Sequence, residues 1–176
     1  MVVYTHSFFT RVRLPAKWMH STSSTIDREI SRKVQARYGN RCCDVGYVYG
    51  GSILVTERGS GLLDDVVNDG GMLFDVQFVA SVCMLGKGEP MRCVVTRTNT
   101  EGLKCEALDE ALRTTPLDIV LPIRWHSHEP LRDHLRSFAE GAMVPVLVIG
   151  CRFSAGDTRM GVVVEYDAAA AAAAAN

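Results

Sequence analysis

One long run of alternating residues limits how this chain can fold. From Phe74 to Val82 every second side chain is apolar and most of those between are polar, which is the period of a strand with one buried face. With its flanks, this run is longer than a usual strand. Residues 86–90, Gly-Lys-Gly-Glu-Pro, end the run, because glycine and proline interrupt regular structure. The sequence therefore predicts a long strand that leads from one β module into another.

The chain after this strand reads as a small barrel. Turn residues and alternation predict five strands, at residues 91–98, 103–107, 118–123, 144–153 and 160–166. A polar segment with a short helical pattern, residues 126–141, separates the third strand from the fourth. We expect a five-stranded antiparallel barrel over residues 91–166 with a helical insertion, which is the OB plan.

The chain before the long strand predicts a sheet covered by one helix. A strand at residues 8–14 stops at Pro15, and an amphipathic helix follows from residue 24 to the Gly39-Asn40 pair. Residues 41–49 alternate like another strand, and a glycine-bracketed turn at 57–63 precedes the long strand. The expected class is α+β, with an N-terminal tip domain at 1–84, an OB barrel domain at 85–167 and an alanine tail at 168–176.

Composition and charge narrow the function. The net charge is −1, with 9 basic against 8 acidic residues in 1–80 and 10 against 12 afterwards. A protein that holds nucleic acid tightly by itself normally has a basic face, so we expect any such contact to be weak or to depend on a larger assembly. The sequence shows neither a membrane-spanning run nor a signal peptide, and we expect an intracellular protein.

The chain contains no recognisable catalytic or metal-binding motif. Its six cysteines include no CxxC pair, and we interpret them as small buried apolar residues. His126, His128 and His134 lie close in sequence, but no cysteine or paired carboxylate completes a ligand set, so a solvated loop is favoured over a metal site. We expect no cofactor and no enzymatic activity. The alternative is a hydrolase that uses an unrecognised cysteine.

Basic residues on the predicted barrel strands are candidates for RNA contacts. The strands lack the aromatic pair of a strong stacking platform, and ordinary solvent-facing side chains are an equally good interpretation. A contact, if made, would be mostly to phosphates. The candidates are Arg92, Arg97, Lys104, Arg152 and Arg159, and the first four are the ones we assign to RNA.

The order of these features resembles a known family. The segment GEPMRCVVTRTNTEGLKCEA at residues 88–107 is similar to the opening of an S-one-type OB barrel, and VLVIGCRFSAGDTRMGVVV at 146–164 resembles its closing hairpin. With the GSGLL turn upstream, residues 8–166 resemble the seventh, stalk subunit of RNA polymerase II, its archaeal counterpart and their homologues in large DNA viruses.

The resemblance implies a non-catalytic stalk subunit of a multisubunit DNA-directed RNA polymerase. The tip would dock near the clamp of the large subunits, the barrel would lie near the exiting transcript, and a small helical partner like the fourth subunit would bind. The location would be the nucleus, or the cytoplasm and virion for a viral protein. By position the docking residues correspond to Pro15, Ala16, Lys17, Trp18, Arg58, Gly59, Ser60, Gly61, Leu62 and Leu63.

A second function remains open at this point. The chain also suits a free-standing single-stranded RNA-binding OB protein. The feature that separates the two is the glycine-bracketed apolar turn at residues 58–63, which an RNA-binding module on its own does not need.

Overall fold

The computed structural model of the protein describes residues 2–67, 69–108 and 115–174. The chain forms two compact units, one of residues 3–82 and one from Cys83 onward. The fold is α+β, with a sheet and one long helix in the first unit and a closed five-stranded barrel in the second. Within the described ranges, no helix has the length and apolar character needed to cross a membrane.

The first unit is built around one central strand. Its elements are β1 (Val2–Leu14), α1 (Ser23–Tyr38), β2 (Arg41–Cys43), β3 (Gly46–Val48), β4 (Leu54–Arg58), β5 (Leu62–Leu63) and β6 (Met72–Met84). The sheet order is β1-β6-β3-β2, and β4 and β5 also pair with β6. The prediction of a long strand with one buried face is confirmed by β6.

One face of the sheet packs under α1. Ile30 and Val34 of the helix are fully buried against Phe74 and Phe78 of β6. The ring of Phe8 on β1 stacks on that of Phe78 at 4.9 Å between centroids. Helix spacing of four and strand spacing of two thus bring their apolar faces together in one core.

The prediction of a single strand at residues 41–49 was wrong. This segment is a hairpin, in which β2 and β3 pair antiparallel with Cys43 opposite Gly46. Gly46 has φ of 132°, a value that glycine adopts easily and other residues rarely do. The alternation of apolar residues continues across the turn, so the pattern concealed the reversal.

The second unit is a closed barrel. Its strands are β7 (Pro90–Thr98), β8 (Gly102–Ala107), β9 (Leu117–Pro122), β10 (Met143–Arg152) and β11 (Met160–Tyr166), with α2 (Glu129–Arg136) between β9 and β10 and α3 (Ala168–Ala174) at the end. The order around the barrel is β10-β11-β9-β8-β7, and β10 closes it on β7. The five strands and the helical insertion between the third and fourth are confirmed.

The prediction of an entirely antiparallel barrel was wrong for one pair. β9 and β11 run parallel, with Gly161 opposite Asp118. A closed ring of five strands cannot alternate direction at every step, because five is odd, so at least one neighbouring pair must be parallel. The barrel is therefore mixed. Its interior is apolar, and residues such as Ile119, Leu121 and Val146 are fully buried.

Candidate functional site

The two segments predicted to dock lie at the same end of the first sheet. Leu62 and Leu63 form β5 and pair with the first residues of β6. The following segments, residues 64–67 and 69–71, return to the turn at residues 15–18, since a Cβ built at Gly70 would lie only 3.2 Å from the Cβ of Ala16. We call residues 15–18 and 58–63 the tip.

The end of the sheet exposes apolar side chains. Leu62 is 60% exposed and Leu63 is 68% exposed. Val66 and Val67 in the adjoining loop are also exposed, and sequence reasoning missed them, although the Leu-Leu-Asp-Asp-Val-Val run contains both pairs. Four exposed apolar side chains within six residues of the chain are typical of a segment that binds another molecule.

Arg13 fixes the loop beside the exposed leucines. Its guanidinium donates to both Asp64 and Asp69, and the Asp64 side chain is only 4% exposed. The backbone N–H of Asp64 donates to Gly71 O at 2.8 Å. Hydrogen bonds from Arg13 hold the pKa values of Asp64 and Asp69 below the usual aspartate range. The exposed leucines therefore precede a loop held by ion pairs.

The glycines of the tip allow the backbone to lie close to the sheet. Gly59 donates its N–H to Asp75 O at 2.8 Å. A Cβ at Gly61 would lie 2.8 Å from two ring atoms of Phe74, which is too close for any other residue. Ser60, between these glycines, is exposed. The connection from β4 to β5 thus lies flat on Phe74.

Two of the predicted docking side chains are engaged within the unit itself. Arg58 donates to Asp27 at 2.6 Å and to Ser23 Oγ at 2.9 Å, and its guanidinium lies 5.3 Å from the centre of the Phe74 ring. Trp18 is partly buried against the core. Pro15 precedes the short 3-10 turn of Ala16–Trp18, and Lys17 is exposed, with its ammonium 5.3 Å from the Trp18 ring. Leu62 and Leu63 are therefore the side chains of the tip that are most available for contact with a partner.

The outer face of the same sheet carries a broad groove of about 570 Å³. Phe9 of β1, which points away from α1, lines this groove and is 78% exposed. Next to it Arg11 Nε donates to Asp75 Oδ1 at 2.8 Å. Sequence reasoning did not single out Phe9, although its place opposite the buried Phe8 in the alternation marks it as outward-facing.

On the barrel, two of the predicted RNA-contacting side chains are neighbours. Arg97 of β7 is directly opposite Lys104 of β8. Lys104 Nζ lies 3.3 Å from Asp118 Oδ1, and Asp118 Oδ2 lies 3.1 Å from Arg159 Nε. Asp118 thus offsets the charge of Lys104. Arg97 is exposed and makes no ion pair with any residue that the structure describes. Its guanidinium is therefore more available to a phosphate than the ammonium of Lys104.

The other two predicted RNA residues lie elsewhere. Arg152 ends β10 opposite Gly161, which is itself opposite Asp118. Arg92 lies near the start of β7, opposite Pro145, and is roughly 16 Å from Arg97 along the strand. Both side chains are exposed. The four residues do not form one patch, since Arg92 is separated from the others.

The aromatic side chains of the second unit lie mainly outside the β8–β9 surface. His134, Phe138 and Tyr166 form a cluster with ring centroids 4.9 to 6.2 Å apart. Trp125, in the short turn after β9, is 64% exposed. Sequence reasoning used Phe138 only for the helical pattern, considered His134 only as a metal ligand, and missed Trp125 and Tyr166 as candidates. The cluster joins the helical insertion to the last strand, and a single sequence does not reveal that contact.

His126, at the start of the insertion, has two structural partners. His126 Nδ1 lies 3.2 Å from Pro122 O, and its Nε2 lies 3.3 Å from the backbone nitrogen of Tyr166. A neutral ring protonated at Nδ1 satisfies both contacts. Over the described part of the chain, no three His, Cys, Asp or Glu side chains are grouped so that they could hold a metal ion.

The six cysteines are present as thiols and not as disulfides. Burial raises the pKa of Cys93 to about 12 and that of Cys105 to about 11. Burial also raises the pKa of Cys43 and of Cys151. A thiol with a raised pKa is protonated at neutral pH and is a poor nucleophile.

Comparison with known proteins adds no family assignment. The chain matches no protein-family model, and no curated protein matches it.

Proposed function

We propose that this chain is a non-catalytic stalk subunit of a multisubunit DNA-directed RNA polymerase. Its tip docks on the large subunits near the clamp, and its barrel lies near the exiting transcript. The observation that carries the proposal is the pair of exposed leucines, Leu62 and Leu63, on a short strand beside a loop held by ion pairs. A second, small helical partner like the fourth subunit completes the proposed assembly, which acts in the nucleus or, for a viral protein, in the cytoplasm and virion.

The energetics of the tip support docking. Full burial of a leucine side chain contributes about 2 kcal/mol, and both leucines are more than half exposed. Binding energy in protein interfaces is concentrated in a few such residues. The ion pairs of Arg13 with Asp64 and Asp69 restrain the chain next to the leucines before docking, which reduces the conformational entropy lost on binding.

The strand order supports an OB identity for the barrel. It has five strands, closes β10 on β7, and carries a helix between its third and fourth strands. OB barrels bind single strands on the face of their second and third strands and on adjacent loops. Here those strands are β8 and β9, with Lys104 on the face and Arg97 beside it.

A free-standing single-stranded RNA-binding OB protein is the second candidate. The exposed Trp125 and the ring cluster of the insertion favour it, because stacking on aromatic side chains supplies affinity without a polymerase. Both candidates assign single-stranded RNA to the barrel. They differ in what the tip does.

The test is co-purification of the polymerase with tagged full-length protein. Changing Leu62 and Leu63 to aspartate places charge in the proposed interface, and we expect polymerase recovery to fall at least tenfold while the protein stays folded. The matched control is Leu54→Asp, because Leu54 is 62% exposed in the same unit but pairs with Val79, well along β6 from the tip. Equal recovery for the control and the double variant would overturn docking by the tip. If no polymerase accompanies the unchanged protein, the second candidate replaces the first.

A further inference from the structure

We propose that the barrel has a base-stacking pocket for single-stranded RNA, built by α2, β7, β10, β11 and α3 and separate from the β8–β9 face. The proposal rests on the RNA-binding role that both candidate functions give to the barrel. It adds a second place of contact and the side chains that make it. The pocket has a volume of about 430 Å³, which is within the range of small-ligand sites and sufficient for one nucleotide.

Three rings form one side of the pocket. His134 and Phe138 belong to the helical insertion and Tyr166 ends β11. The His134 and Phe138 rings are 4.9 Å apart at 66°, and the Phe138 and Tyr166 rings are 6.2 Å apart at 48°. Phe138 and Tyr166 are only partly buried, so ring surface remains open to a ligand. Bases of any sequence stack on such surfaces.

Arg92 supplies the positive charge of the pocket. Its side chain is exposed, lines the cavity, and forms no ion pair with the described residues. A guanidinium beside aromatic rings matches a nucleotide, whose phosphate it can bind while the base stacks. Arg92 also lines a second, adjacent cavity of about 320 Å³, which Asp167 lines as well. We place the phosphate on the aromatic side of Arg92, away from that carboxylate.

The remaining walls are apolar. Met143 and Pro145 of β10 and two alanines of α3 close the pocket. At the rim the Tyr166 hydroxyl lies 3.4 Å from His134 Nε2, and both groups can exchange hydrogen bonds with the edge of a base. Aromatic faces, one exposed guanidinium and a few polar groups at the rim match the base, the phosphate and the base edge of an unpaired nucleotide.

Binding of a fluorescent single-stranded oligouridylate to the full-length protein tests the pocket. We expect Phe138→Ala to weaken binding on the order of tenfold and to leave the salt dependence unchanged, because no phosphate contact is lost. Arg92→Gln should weaken binding and also reduce the magnitude of the salt slope by about 0.7. The controls are Phe9→Ala and Arg28→Gln, which remove an exposed ring and an exposed charge from the first unit and should leave affinity unchanged.

A blocking variant separates loss of the site from loss of structure. Ala171→Trp keeps every proposed contact and fills the pocket from α3, so it should weaken binding as Phe138→Ala does. Affinity for a duplex RNA should be the same with and without Phe138→Ala, because paired bases cannot enter the pocket. Oligouridylate binding that is unchanged in Phe138→Ala and Ala171→Trp, or absent in the unchanged protein, would overturn the proposal. Polymerase recovery, measured separately, should be normal in both variants, so failure of the pocket and failure of tip docking give different results.

Discussion

Arg13 is the residue on which the geometry near the tip most depends. Its guanidinium pairs with two aspartates of the loop at residues 64–71, and its carbonyl oxygen accepts a hydrogen bond of 2.7 Å from Lys33 Nζ on α1. One side chain of β1 therefore links the strand to the loop, while its backbone links the strand to the helix. The exposed leucines immediately precede this loop, and pairing with Leu73 and Met72 of β6 holds them in place.

We expect the loop at residues 64–71 to lose order in acid. Arg13 lowers the pKa of Asp64 and of Asp69, so the ionised carboxylates favour the folded loop. This stabilisation is complete above the ordinary aspartate pKa of about 3.9 and is lost as the pH falls below it. Protection factors of the loop amides, followed by hydrogen exchange, should therefore decrease below about pH 4.

Neighbouring aspartates provide the control for this prediction. Asp64→Asn should lower protection at neutral pH and weaken the acid response, whereas Asp65→Asn, at an exposed position, should change neither. Loop protection that stays constant between neutral pH and about pH 3 would show that the ion pairs do not order the loop.

Among the elements, α2 carries one of the three rings of the proposed pocket, that of His134. Leu135 is fully buried and anchors the helix, and Arg132 Nε donates to His126 O at 2.6 Å. The exposed ion pairs along the helix, such as Arg136 with Asp133, contribute little to stability. The burial of one leucine therefore holds the element that carries His134.

Leu135→Ala should destabilise the second unit by about 2–5 kcal/mol, because it leaves a cavity under α2. Leu131→Ala, at a partly buried position of the same helix, should cost clearly less. Urea unfolding read from amide exchange in the barrel strands measures both. Equal costs for the two variants would mean that α2 is not held by Leu135.

At the scale of the whole molecule, charge is balanced rather than concentrated. The chain has 19 basic and 20 acidic residues, and several surface arginines are paired with acids, such as Arg124 with Glu101. On the second unit, Arg92, Arg97 and Arg152 remain exposed. The molecule as a whole therefore attracts RNA only weakly, and any contact relies on a few exposed guanidinium groups.

RNA binding by the isolated protein should therefore be weak and only moderately dependent on salt. Each phosphate contact to a single strand contributes about −0.7 to the slope of log K against log salt, so three arginines predict a slope of about −2. A titration of anisotropy at several salt concentrations measures this slope, and Arg97→Gln should reduce its magnitude by about 0.7. Tight binding that persists at high salt would contradict this account of the barrel.

Local patterns were sufficient to predict most of the elements. The alternation in β6, the spacing of Ile30 and Val34 in α1, and the turns between the barrel strands each act over a few residues, and the structure has these elements close to where the patterns indicate. The order of the strands along the chain also predicted a five-stranded barrel. The exposed leucines were recognisable because a glycine-rich turn precedes them.

The contacts between distant segments were decided only by the tertiary structure. Closure of a five-stranded ring requires a parallel pair, but only the tertiary structure decided that this pair is β9 with β11. The pairing of Arg13 with Asp64 joins residues 51 positions apart. The cluster of His134, Phe138 and Tyr166 forms because Leu135 is buried against the barrel and brings the insertion to the end of β11. Periodicity reports which face of an element is apolar, but not which other element covers it, since many partners can bury the same face.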